Sequence, residues 1–303
     1  MVAPTGDQFE ISGAGYRAVV TEGGAALRVL EQHGRPLVAG FGEDEMSSGG
    51  RGQLLMPWPN RLRDGRYRWQ GRDLQLALTE PSRGHASHGL ARWVSWTLEE
   101  HAPHSVSLVH RLMAQSGYPW LLELRVHYVL SADGLTVTQS ATNLAGSAAP
   151  YASGAHPYLR VGDGPVDDWE LTLPAATRCL VDDRLIPVGR EDVGDTDHDF
   201  RVARPVRQVR LDDAFTDLER DDDGRATVLV RDRTSGHGVA LWVDERHRWL
   251  QLYTGEAVPE LARRAIAVEP MTAPANAFAS GEDLATLEPG EELAVSWGIR
   301  ALD

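Results

Sequence analysis

The sequence predicts an all-β protein built as a large antiparallel β-sandwich, and three observations carry that reading. Short stretches of alternating apolar and polar residues recur from one end of the chain to the other. Gly, Pro, Asp and Ser bound nearly all of them, and helical periodicity is hard to find. The chain has 303 residues, enough for one big all-β domain. No Ser/Gly linker, charge block, composition shift or internal repeat divides it, so a single domain over residues 1–303 is expected.

The strands follow in order: Val94 to Glu99, Ser105 to Leu112, Leu121 to Leu130, Leu135 to Ala141, Ala226 to Arg231, Val239 to Val243, Trp249 to Tyr253 and Leu293 to Ile299. Leu122, Leu124, Val126 and Tyr128 fall on every second position and would line a buried face, leaving the other face to Glu123, Arg125 and His127. From Glu256 to Ile266 good helix formers offer a short helix as the alternative, but Pro259 interrupts it. The carboxylate run Glu219 to Gly224 invites a calcium-loop reading. A bidentate Glu would be needed at the last loop position, where Val230 stands, so a solvated hairpin turn before the strand at Ala226 is expected.

Composition removes whole chemistries. All 30 cationic side chains are arginine, so Schiff-base, pyridoxal-phosphate and P-loop mechanisms, which need a lysine, are excluded. One cysteine, Cys179, excludes an internal disulfide framework and a multi-cysteine zinc site. A formal charge of -14 and a pI near 5.2 repel nucleic acid and anionic membranes. The N-terminus has neither a basic nor an apolar leader segment, and no apolar run nears the roughly 18 residues of a membrane span. The expectation is a cytoplasmic protein with a small-molecule partner.

Four segments combine ionisable residues with neighbours that read as buried. In Met56-Pro-Trp-Pro-Asn-Arg-Leu-Arg63, prolines stiffen the approach to Asn60 and Arg61, and Trp58 offers a face for a sugar ring; an ordinary turn is the competing reading. In the second, His85 and His88 lie three apart without a helix or a third ligand, which suits a hydrogen-bonding loop histidine better than zinc. In Ser153-Gly-Ala-His-Pro-Tyr158, small residues and a proline fix His156, as a general acid or base requires, although a satisfied core histidine is the commoner fate. Glu269, in Ile266-Ala-Val-Glu-Pro-Met271, ends an apolar strand where its basicity would be raised. A buried Glu is costly unless paired or functional, and histidine is its obvious partner.

In these residues the chain resembles the aldose 1-epimerases, or galactose mutarotases. The likeness spans nearly the whole sequence. It rests on Asn60-Arg61 with Asp64-Gly-Arg-Tyr67 and Gly71, His88-Gly89, Gly154-Ala-His-Pro-Tyr158, Leu211-Asp-Asp-Ala-Phe215, Gln251-Leu-Tyr-Thr-Gly255, and Val268-Glu-Pro270 followed by Asn276. The resemblance implies a galactose mutarotase-like supersandwich with an open sugar cleft, interconversion of the anomers of a free aldose without a cofactor or metal, and a monomer or homodimer. Position by position it implies Glu269 as catalytic base, His156 as catalytic acid, and Asn60, Arg61, His88, Asp212 and Gln251 as sugar-binding residues, with Asp213 the rival for the Asp212 role. Chemistry agrees: ring opening takes a proton from O1 and delivers one to O5, so Glu269 ionised and His156 protonated is the expected working state.

Two departures bear on the substrate. Leu90-Ala-Arg92 follows His88-Gly89, and Met271 follows Glu-Pro. The combination of Pro57-Trp-Pro-Asn-Arg61 with His88-Gly-Leu-Ala-Arg-Trp93 resembles a bacterial branch of the family linked to sulfosugar (sulfoquinovose) breakdown. A C6 sulfonate or phosphate would need donors such as Arg63, Arg83, Arg92, Trp58 and Trp93, each of which has plain surface or packing roles as an alternative. A non-catalytic carbohydrate-binding protein and a glycoside hydrolase are the readings from other classes.

Overall fold

The computed structural model describes residues 2–303. Three large antiparallel sheets carry most of the chain, with three two-stranded pairs beside them. A four-stranded sheet opens it, with Gln8–Gly13, Tyr16–Thr21, Leu27–Gln32 and Arg35–Pro36 in sequence order. A nine-stranded sheet runs, in spatial order, through Arg204–Pro205, Trp169–Thr172, Ala226–Asp232, Gly238–Val243, Glu292–Leu302, Gly134–Asn143, Leu122–Ser131, Ser105–Leu112 and Thr97–Ala102. The six-stranded sheet runs through Tyr158–Leu159, Ile266–Met271, Trp249–Tyr253, Asp212–Leu218, Ala175–Val181 and Pro187–Asp192. Among the described residues no helix is long and apolar enough to cross a membrane.

Period-2 patterning does what it should. Leu122, Leu124, Val126 and Tyr128 are fully buried while Glu123, Arg125 and His127 are not, so one face of their strand packs and the other meets solvent. One continuous apolar cluster runs from Phe9 to Ile299 and takes side chains from all three sheets. Truncating such a residue, Leu124→Ala for example, would cost about 2–5 kcal/mol.

Two local expectations need correction, and the helix set aside at Glu256 to Ile266 is absent from the described structure. Residues 94–96 are not part of the strand that begins at Thr97, because the carbonyl of Val94 and the N–H of Trp96 bond Gly24 and Glu22 of the N-terminal sheet instead. The carboxylate run does form a turn, closed by the bond from Gly224 N–H to the Asp221 carbonyl, but it is not a hairpin. It leads from Asp212–Leu218 in the six-stranded sheet to Ala226–Asp232 in the nine-stranded one. Residues 257–264 are successive turns, and the short helix Ala277–Ser280 lies further on.

Candidate active site

Sheet register builds the floor of a cleft of about 430 Å³. Residues directly opposite each other in an antiparallel ladder point to the same face. Gln251 lies opposite both Ala214 and Glu269, and Asp212 lies opposite Tyr253. Asp212, Gln251, Tyr253 and Glu269 therefore share one face, which is the cleft face. Asp213 points the other way, to Arg178 at 3.3 Å and His198 at 3.7 Å. The choice between the two aspartates is thus a matter of sheet parity.

Glu269 sits on a strand buried on both faces and is itself only 3% exposed. His156 reaches it from the neighbouring segment, whose Ala155 N–H bonds the Pro270 carbonyl at 3.1 Å. Two further backbone bonds hold His156, from its N–H to the Gln53 carbonyl and from Gly52 N–H to its own carbonyl. Its ring stacks on Tyr158 with centroids 5.0 Å apart and brings Nε2 to 3.3 Å from Glu269 Oε1. Nδ1 of His156 and Oε2 of Glu269 are buried with no hydrogen-bond partner among the described residues. Orphaned polar atoms of this kind are costly to bury.

The cleft wall comes from Asn60, Arg61 and His88. Asn60 and His88 both have left-handed backbones, φ 54° and 60°, a conformation that costs non-glycine residues about 1 kcal/mol or more. Paired bonds hold them there: His88 N–H donates to the Asn60 carbonyl at 2.8 Å, and Asn60 N–H donates to His88 Nδ1 at 3.2 Å. Gly89 follows because a Cβ there would strike the Met56 carbonyl. From Asn60 an amide chain crosses the floor, Asn60 Nδ2 donating to Gln251 Oε1 at 3.3 Å and Gln251 Nε2 to Asp212 Oδ1 at 3.1 Å.

The cleft disfavours charge at its centre. Burial, with the Asp212 carboxylate, raises Glu269 well above the usual carboxylate range, against the pull of Arg61. Burial, then Arg92 and Arg61, brings His156 down to about 3. Both shifts run against the expected carboxylate–imidazolium pair and favour the same single proton resting on the carboxyl. Burial and the cations Arg92 and Arg61 likewise keep His88 neutral.

The possible anion-binding residues separate. Arg83, Arg92 and Trp93 line the cleft. Trp58 does not: it is buried at 3% exposure and packs on Phe278 in the core. Arg63 turns away to pair with Asp182. His85 does not line the cleft either: it is fully buried with Nε2 at 3.0 Å from the Arg184 carbonyl, so it shares no site with His88.

Sequence reasoning passed over Glu80, Tyr158 and the Gly49-Gly50 loop, all of which line the cleft. Glu80 precedes Pro81 just as Glu269 precedes Pro270, so the dipeptide that singled out one carboxylate was also present at the other. It clamps Arg61 with two bonds, Nε to Oε2 at 2.8 Å and NH2 to Oε1 at 3.1 Å.

Antiparallel supersandwich and cleft together define a protein with a carboxyl–imidazole pair set at the floor of an open cleft. The chain belongs to the aldose 1-epimerase family, whose sequence model matches residues 7–300. It is 35% identical over 288 residues to the uncharacterised protein YihR of Escherichia coli K12, covering 95% of this chain and 91% of that one. A GalM/aldose epimerase homologue from C. elegans superposes with a TM-score of 0.86 at 21% identity, over 98% of this chain and 99% of that one. A galactose 1-epimerase from Lactobacillus acidophilus gives 0.79 at 19%, over 96% and 93%. The fold is that of the galactose mutarotase-like proteins.

Proposed function

We propose that this protein is an aldose 1-epimerase that interconverts the α and β anomers of a free hexose by general acid–base ring opening and closure. The contact between His156 Nε2 and Glu269 Oε1 on the cleft floor carries the reading. Glu269 takes the proton of the O1 hydroxyl as His156 gives one to O5. The C1–O5 bond breaks, and rotation about C1–C2 precedes reclosure on the other face with both proton transfers reversed. The pair ends each turnover as it began, so the reaction as written consumes no cofactor.

The productive state, carboxylate with imidazolium, has the same number of protons as the neutral pair, and a shift across the 3.3 Å contact converts one to the other. Sugar hydroxyls donating to the carboxylate would favour that shift. His88, Asp212 and Gln251 supply donors and acceptors to orient the ring, and Arg61 adds a charged donor. The test is NMR exchange or polarimetry on fresh anomers of galactose and glucose, beside a glycoside hydrolysis assay. Accelerated anomer exchange is expected. Binding without exchange would identify a carbohydrate-binding protein instead, and release of sugar from a glycoside would identify a hydrolase.

Arg92 favours a second reading, in which the sugar is anionic. Arg61 and Arg83 both pair with Glu80, but among the described residues Arg92 hydrogen-bonds the neutral acceptors Gln53 Oε1 and the Ser87 carbonyl alone, each at 3.3 Å. Burial lowers its pKa to about 10 against the pull of the Glu80 carboxylate, and an anionic group on the sugar would add a directly bonded counter-charge. Arg92→Gln should then cost about 10-fold or more in kcat/KM for glucose 6-phosphate or sulfoquinovose and little for galactose. Equal losses on neutral and anionic sugars would overturn this second reading.

A further inference from the structure

The geometry points to Glu80 as the positioning residue of the cleft: a carboxylate that aims the Arg61 guanidinium at the sugar and neutralises it beside the Glu269–His156 pair. Glu80 makes both bonds of a fork to Arg61, at 2.8 and 3.1 Å, and forms an ion pair with Arg83 Nε at 3.3 Å. A planar guanidinium held along its Nε–NH2 edge can rotate little. Its remaining nitrogen, NH1, lies 3.4 Å from Asn60 Oδ1 and is the edge left to face a ligand.

Glu80 is itself well held. Its carbonyl accepts bonds from the N–H groups of Arg83, Gly84 and His85, closing a tight turn. Arg184 pins that turn from a neighbouring hairpin, donating to the Arg83 and Gly84 carbonyls at 3.0 and 3.2 Å. The clamp on Arg61 is therefore part of a braced structure rather than a loose surface ion pair.

The charges around the acid–base pair make the neutralisation consequential. Glu269 faces His156, Asp212, Arg61 and Tyr158, while His156 also faces His88 and Arg92. Arg61 opposes the elevation of Glu269 and adds to the depression of His156. Without Glu80, Arg61 and Arg83 would keep only the Asp212 carboxylate facing them both, and Glu269 would hold its proton less firmly.

The inference rests on the mutarotase reading for its kinetic readout alone. Glu80→Gln removes the charge and half of the fork; Glu80→Asp keeps the charge but is one methylene too short to reach Arg61 with both oxygens. We expect KM to rise about 10-fold or more in both variants, the scale of a charged hydrogen bond, with kcat changed less than about 3-fold because ground-state binding is what is lost. In protein labelled with ¹³C at the glutamate carboxyl carbon, and with Glu269 assigned through Glu269→Gln, its titration should move to lower pH by about 0.5–1 unit in Glu80→Gln and stay near wild type in Glu80→Asp.

Unchanged KM in both variants, or a Glu269 titration that stays put or rises in Glu80→Gln, would overturn the inference. If wild-type protein exchanges no anomers, the function proposed above fails instead, and the titration still decides the role of Glu80.

Discussion

The backbone N–H of Asn60 donates to Nδ1 of His88 at 3.2 Å, so that ring nitrogen is an acceptor and the proton sits on Nε2. His88 consequently presents an N–H donor to the cleft, and burial with Arg92, His156 and Arg61 holds the ring neutral. In ¹⁵N-histidine NMR we expect the Nε2–H tautomer of His88 to persist from pH 8 to pH 5. An imidazolium spectrum in that interval would contradict the assignment. His88→Ala should raise KM for the sugar by about 10-fold while leaving kcat nearly unchanged, as loss of a positioning hydrogen bond does.

The 3.3 Å separation of His156 and Glu269 makes them titrate as a pair. Activity requires one shared proton. Below the first macroscopic pKa both groups are protonated and the base is lost; above the second neither carries a proton and the acid is lost. The elevation of Glu269 and the depression of His156 separate these limits from the ordinary values without removing either limb. A broad bell-shaped kcat/KM profile for anomer exchange is expected, its acid limb moved down with His156 and its alkaline limb moved up with Glu269; activity that falls at neither edge of the pH range in which the protein stays folded would refute the pair as acid and base. His156→Ala or Glu269→Gln should lower kcat by roughly 10²- to 10⁴-fold.

How much of this was legible in the sequence follows from the range of the signal. Alternation within one strand is local, so the buried face of Leu122–Ser131 and the apolar setting of Glu269 could be read directly. Pairing between strands is not local. Asp212 and Asp213 look alike until Tyr253 and Leu252 are known to stand opposite them. Trp58 fails for a related reason: its flanking prolines fix the backbone without saying which side the indole takes, and Phe278, far along the chain, receives it. Glu80 sits among Thr79 and Ser82 in a polar turn, where a carboxylate ordinarily meets water, and its fork to Arg61, 19 residues earlier, is not a local signal.

Parity separates the two aspartates experimentally. Asp212 accepts from Gln251 at 3.1 Å on the cleft face, so Asp212→Asn should raise KM by about 10-fold. Asp213 is joined to Arg178 and His198 on the opposite face. Asp213→Asn should lower thermal stability by about 1 kcal/mol and leave KM unchanged. Steady-state kinetics with a thermal melt on each variant decides it, and a KM effect from Asp213→Asn would place the wrong residue in the cleft.

Gly50 tests whether the loop over the cleft floor is built around His156. Its φ of 79° is left-handed, and a Cβ there would lie 2.7 Å from Cδ2 of the His156 ring and 3.1 Å from Cγ. Gly34 has nearly the same φ, 78°, with nothing within 4 Å of its notional Cβ. The two substitutions to alanine therefore share a backbone penalty of about 1 kcal/mol and differ only in what the methyl group meets. Gly34→Ala should melt slightly earlier and keep full turnover. Gly50→Ala must push either the imidazole off Glu269 or the loop off the cleft, and displacement of a reacting group by about 1 Å can cost 10²-fold. We expect kcat to fall by about 10- to 100-fold with a stability loss close to that of Gly34→Ala. Equal turnover in the two variants would mean that the loop yields freely and that His156 is positioned by Tyr158 and the backbone bonds of residues 52–53 alone.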